Sequence, residues 1–211
     1  MQQEKLQRHF GQQKGRLMNR EKELEDYLKD YREKRREKKQ KELPAYVRKL
    51  AESFFEKLGI VAEEQKYRQR EENVEPVKFV FLCRLLSSYY TQSYDAVMGL
   101  SDSRLYLDEG RSEIFWKPVP VYEGIEEDME EAKRLLSRKF IRLEASELFY
   151  IRKKLLGDDW ELLQGCFRVL SRQAFQQMED RCLKMDEEIL FVCGDYMDRL
   201  KIVWDKEQDI F

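Results

Sequence analysis

The chain has 211 residues, 42% of them hydrophobic and 39% charged, with nine glycines, four prolines and a single histidine. That length suffices for one large domain with an appendage, and the scarcity of turn residues argues against an all-β fold. The net charge of −2 hides an asymmetry, because residues 1–43 hold 14 basic and 9 acidic side chains, a net of +5, and the remainder carries −7. A basic arm on an acidic body can meet nucleic acid or an anionic membrane, fold back on that body, or stay in water.

Residues 1–43 read as an extended helix in which Leu17, Leu24, Leu28 and Tyr31 form a thin apolar stripe. The seven-residue steps 17, 24 and 31 hint at a coiled-coil seam, but Arg35 and Lys38 occupy the next core positions and the repeat lapses. Self-association through these N-terminal helices is therefore an expectation resting on two heptad steps. Pro44 suits the first turn of a new helix, where its missing N–H costs nothing. In "PAYVRKLAESFFEKLGI", Val47, Leu50, Ala51, Phe54, Phe55 and Leu58 follow steps of three and four and define one apolar face. Gly59 suits the left-handed residue after a helix end, with Ile60 packing back onto Phe55. Residues 62–75 are nearly all polar and read as exposed helix or connector up to Pro76.

Residues 77–100 contain only three charges, Lys78, Arg84 and Asp95, so a core begins here. The β-branched and aromatic content of "KFVFLC" favours strand over helix across 79–98, and "SYDAVMGL" places Tyr94, Ala96, Met98 and Leu100 on one face by alternation. "RLYLD" and "EIFWK" flank "EGRS", with Gly110 available for a positive φ, which reads as a hairpin. Its two faces carry Leu105, Leu107, Ile114 and Trp116 on one side and Tyr106 and Phe115 on the other. Large apolar groups on both faces imply a sheet covered by helices on one side and at least partly covered on the other. Pro118 and Pro120 end the strand.

Helix resumes at Ile125, with acids in its first turns and bases in its last, and with Ile125, Met129, Ala132, Leu136 and Phe140 along its face. "EASELFYIRKKLL" reads as a further helix closed by Gly157, and Asp158 as the cap of another carrying Trp160, Leu163, Phe167, Leu170 and Ala174. "EILFVC" and "RLKIVW" flank "GDYMD" and read as a second hairpin joining the central sheet, with one continuous helix over 188–204 as the competing reading. The predicted fold is α+β: a small antiparallel sheet of about four to six strands packed by several helices. The segments are a charged, net-basic helical arm (1–43), an amphipathic helix with a polar connector (44–75) and an α+β core domain (76–211).

The run "YREKRREKKQK" concentrates seven bases against two acids. Arg32, Lys34, Arg35, Arg36, Lys38, Lys39 and Lys41 are the candidate phosphate contacts if the chain binds nucleic acid without sequence preference; otherwise the run is a solvated helix balanced by Glu33 and Glu37. Glu123, Glu126, Glu127, Asp128, Glu130 and Glu131 radiate around a helix start without the spacing of a calcium loop, and the helix dipole accounts for them. His9, the lone histidine, lies in a polar terminus, which argues against a histidine-based triad or zinc site. No glycine-rich phosphate loop is present. No catalytic, cofactor or metal residue is assigned. Asp102, Asp108 and Glu113 keep a carboxylate-dependent hydrolase in view as a remote alternative. Tyr89, Tyr90, Tyr94 and Tyr122 are expected to be the exposed aromatic residues of an interaction surface. Cys83, Cys166, Cys182 and Cys193 form no CxxC pair and read as reduced, mostly buried thiols. "MQQEKLQRHFGQQKG" shows no signal-peptide pattern, and no apolar run nears the roughly 18 residues needed to span a bilayer. The expectation is a cytoplasmic, non-enzymatic interaction or scaffold protein, with no membrane partner, that binds a protein or itself; nucleic-acid association is the alternative.

Overall fold

Strands form within the low-polarity block 77–101 and again within 185–205. The computed structural model describes residues 2–71, 74–198 and 200–207, with side chains from Asn19 onward. In chain order the elements are α1 (Gln2–Lys41), α2 (Leu43–Glu71), β1 (Val77–Arg84), α3 (Ser87–Thr91), β2 (Ala96–Ser101), a 3-10 turn (Leu105–Leu107), β3 (Ser112–Trp116), α4 (Val119–Tyr122), α5 (Ile125–Leu136), α6 (Ala145–Asp180), β4 (Met185–Asp195) and β5 (Leu200–Asp205). The α+β expectation holds, with one correction. The five strands run in the order β3-β2-β1-β4-β5, and β1 pairs β4 in parallel while every other pair is antiparallel, so the sheet is mixed. The long connection between β1 and β4 contains α6, and a connection of that length permits a parallel return that a hairpin does not.

The chain divides into two units, Met1–Gln40 with Gly124–Asp159, and Lys41–Glu123 with Trp160–Phe211. In the second unit one sheet face is packed by α2 and α6. Phe54 of α2 meets Trp116 of β3 and Phe167 of α6 edge-on, with ring centroids 5.6 and 5.9 Å apart, and Phe167 in turn meets Phe191 of β4 at 5.9 Å. The Trp116 indole N–H donates to the Ser53 hydroxyl at 3.3 Å, so its polar edge is satisfied inside the core. Truncating a ring such as Phe54 or Phe167, both essentially fully buried, costs about 3–5 kcal/mol.

Several local expectations are corrected, each by a specific interaction. Helix α2 does not end at Gly59 but runs to Glu71, leaving Ile60 exposed. Gly59 is small for a different reason: a Cβ there would lie 3.0 Å from the Arg181 guanidinium, which passes over this turn to reach Glu63 at 2.7 Å. Likewise α6 runs unbroken through Gly157, and Asp158 is not a cap. "SSYYT" is the helical turn α3 rather than strand, because the Ser88 hydroxyl donates to the Leu85 carbonyl at 2.6 Å and Thr91 to the Ser88 carbonyl at 3.3 Å. The hairpin over 105–116 is absent, and β3 pairs with β2 instead. Residues 102–110 are held in a knot by two carboxylates. Asp108 accepts the backbone N–H of Asp102 and of Gly110, each at 2.8 Å, while Asp102 accepts the N–H and guanidinium of Arg104. Gly110 has no positive φ; its lack of a Cβ matters because Val74 methyls would stand 2.8 and 2.9 Å from one. The β4–β5 hairpin is present as read, and "SYDAVMGL" yields β2 from Ala96 onward, with Tyr94 outside the strand. No described helix is long and apolar enough to cross a membrane.

Candidate interaction surface

The basic run lies at the end of α1, and helical geometry separates its residues by direction. Leu24 and Leu28 are fully buried within the chain, and Leu17 and His9 lie outside the residues whose side chains are described. The next positions along that buried stripe are Arg32, Arg35 and Lys39, and each meets an acid of the same unit. Arg32 grips Asp158 with two hydrogen bonds at 2.9 and 2.7 Å. Arg35 lies between Asp128 at 2.6 Å and Asp159 at 2.8 Å, and Lys39 meets Asp159 at 2.6 Å. The Arg35 side chain is only 5% exposed and the Asp159 side chain 0%. Burial works against the Arg35 charge, yet Asp159 and then Asp128 outweigh it and raise the guanidinium pKa. Tyr31 donates to the Asp128 carboxylate at 2.9 Å, and its own pKa is pushed up by burial and by that neighbour. Arg36 approaches Asp158 at 4.0 Å, while Lys34, Lys38 and Lys41 are exposed. Arg32, Arg35 and Lys39, among the candidate phosphate contacts, thus already have short-range carboxylate partners.

The four tyrosines divide too. Tyr89 and Tyr122 are buried, which corrects their expected exposure; the Tyr89 hydroxyl accepts from Arg84 at 3.0 Å, and Tyr122 lies 5.2 Å from the half-buried Tyr94 ring. Tyr90 is exposed. Asp102 lines a cleft of about 560 Å³ with Glu75, Arg104 and Asp186, but its carboxylate is occupied by Arg104. Among the described residues no group of three or more histidine, cysteine or acidic side chains could hold a metal ion. Several acids around the start of α5 have partners: Glu126 binds the Arg152 guanidinium, and Glu131 binds Arg134 at 2.6 and 2.5 Å. Cys83, Cys166 and Cys193 are buried thiols, while Cys182 is exposed.

The sheet face opposite α2 and α6 presents a different surface. Phe81, Cys83, Val97 and Val192 form a small buried cluster roofed by Tyr106 and Tyr196. The Phe81 ring lies over Gly99, where a Cβ would stand 2.2 Å from the ring's Cζ. Tyr106 stacks edge-on with Tyr196 at 5.6 Å, and its hydroxyl lies 3.3 Å from the Cys83 sulfur. Burial pushes the Cys83 thiol up to about 11. The Tyr196 hydroxyl donates to the Glu113 carboxylate at 3.3 Å, and Arg111 donates to the same carboxylate at 3.1 Å, so Glu113 is oriented from both sides.

Around this roof the apolar surface is open. Paired residues share a face, so Phe115 lies in one row with Val97 and Cys83, and Ile202 in the next with Val192 and Phe81. Phe115 is 68% exposed and Ile202 57%, and Leu107 and Met197, in the roofing segments, are 80% and 63% exposed. Strand β3 is an edge of the sheet, paired on one side only. Glu113 and Phe115 stand exposed on one face of β3, and Lys117, just past its end, is exposed too. The alternation of these three residues was visible in the sequence, but the hairpin reading paired them with the wrong neighbour. Comparison with known protein families, curated proteins and solved structures finds no match for this chain.

Proposed function

We propose that this is a non-enzymatic interaction protein whose contact surface is the roofed sheet face beside edge strand β3. One observation carries the reading: Phe115, on an edge strand, leaves most of its ring in water on a face whose centre is an apolar cluster. Covering such a ring is worth about 1.5–3 kcal/mol, and aromatic side chains ringed by ordered polar groups are the usual anchors of interfaces. Glu113, held by Arg111 and Tyr196, supplies such a polar rim without having to lose further side-chain entropy on binding.

The test places a photo-crosslinking amino acid at Phe115 in the full chain, in cells that make the protein. A control carries it at Ile141, the most exposed large apolar residue among the described residues and one outside the sheet. The expected result is discrete protein adducts from position 115 and none from 141. Equal labelling at both positions, or no adduct at 115, overturns the reading.

A further inference from the structure

We infer that the partner of edge strand β3 is β3 of a second copy of this chain, paired antiparallel about a two-fold axis through Phe115. This rests on the reading of the β3 face as the contact surface, and it names the occupant. A two-fold operator brings the same strand against itself running in the opposite direction. In the register centred on Phe115, residue 113 of one copy stands opposite residue 117 of the other.

Glu113 then faces Lys117 of the second copy, and its symmetry mate repeats the pair. Phe115 faces Phe115, and Ile114 faces Trp116 on the helix side. Both charge pairs are of opposite sign, and the two exposed rings cover each other. A lysine near a sheet edge ordinarily discourages strand addition; here its mirror position carries a glutamate, so the same residue selects the partner. Glu113 is already held on this face of the sheet by Arg111 and Tyr196.

Neighbouring registers lack this match. Centring on Ile114 sets Glu113 opposite Phe115 and Arg111 opposite Lys117, two like charges across the seam. Proline at 118, followed directly by α4 from Val119, ends the seam after Lys117, because proline offers no N–H to a ladder. The pairing therefore spans Glu113 to Lys117 and joins two five-stranded sheets into one.

Two measurements on the purified full chain test this. In sedimentation velocity the wild type is expected to show a reversible dimer. Glu113→Lys and Lys117→Glu are each expected to weaken it at least about tenfold, since each replaces two attractive pairs with two repulsive ones. The double reversal Glu113→Lys/Lys117→Glu is expected to restore it, and that rescue excludes a folding defect as the cause of the single effects. The second measurement reads the register directly in a Cys182→Ser background. Phe115→Cys is expected to form a disulfide-linked dimer on mild oxidation, because directly opposed residues lie within bridging distance. Glu113→Cys alone is not expected to, since its own image stands four residues away, about 13 Å. Glu113→Cys/Lys117→Cys together is. A monomer at all concentrations, a dimer indifferent to both charge reversals, or cross-linking by Glu113→Cys alone overturns the inference. A monomeric chain that still yields adducts to other proteins at position 115 refutes self-pairing and leaves the interaction reading standing; a chain without adducts of any kind refutes both.

Discussion

Arg35 illustrates why a charged residue lies where a coiled-coil seam would place an apolar one. The stripe begun by Leu24 and Leu28 continues through Tyr31, Arg35 and Lys39, and by then the facing helices present Asp128 and Asp159 rather than hydrocarbon. Taking a guanidinium out of water is costly, and only carboxylates at hydrogen-bond distance offset it. Arg35→Ala leaves the wholly buried Asp159 with Lys39 alone. We expect a loss of about 3–5 kcal/mol, read as a lower urea midpoint at unchanged slope. Arg36→Ala, one position along and half in water, is expected to change stability by less than about 1 kcal/mol. The sequence displayed these residues as one undifferentiated basic run. Which of them face inward depends on the angular position of α1 against α5 and α6, which no local pattern encodes. The usable signal was the coincidence of Arg35 with the continuing stripe and the Asp158-Asp159 pair further on.

At the scale of elements, two glycines were read as helix ends and neither is one. Glycine inside a helix lowers propensity by about 1 kcal/mol, which tertiary packing easily overrides. Gly59 is kept small by Arg181 passing over it. Gly157 has nothing within 4 Å of a built Cβ, so no neighbour requires it to be small. Gly157→Ala is therefore expected to stabilise the chain by about 0.5–1 kcal/mol through helix propensity alone, measured as a raised thermal midpoint. A destabilised Gly157→Ala protein would show that α6 bends or opens at this residue in solution. The strands β1, β4 and β5 were legible because their β-branched and aromatic runs are short and bounded by turn residues. The knot at 102–110 was not, since Asp102 and Asp108 act through backbone N–H groups whose proximity exists only after folding. Phe115 was read on the correct face but with the wrong neighbours, because that face is defined by β2, eighteen residues earlier in register. The roof of Tyr106 and Tyr196 joins segments that share no sequence signature.

For the whole molecule, part of the charge asymmetry closes on itself inside one unit, through Arg32, Arg35 and Lys39 with Asp128, Asp158 and Asp159. That unit is assembled from two distant stretches of chain, so segmentation by composition could not delimit it. The shifts of several ionisable groups favour folding at neutral pH from both sides. The carboxyl pKa values of Glu25 and Glu147 lie below the usual range. Burial opposes this in each, but Lys154 and Tyr150 outweigh it at Glu25, and the Glu144 N–H and Arg20 at Glu147. A depressed carboxyl stabilises the fold above its unfolded value near 4.5, and that contribution is lost as pH falls through the lower folded value. On the alkaline side, burial pushes the Cys83 thiol up to about 11 and the Cys166 thiol up to about 12, from 9.0 in the unfolded chain. Their contribution is complete below pH 9 and disappears as pH rises through 11 and 12. Thermal midpoints are therefore expected to be flat from about pH 5 to 9 and to fall outside that window. Cys83→Ala with Cys166→Ala should lower the plateau by leaving small cavities while making the decline above pH 9 shallower. An alkaline limb of unchanged steepness in that variant would assign the loss to Cys193, Tyr31, Tyr106 and Tyr150, which burial also holds protonated.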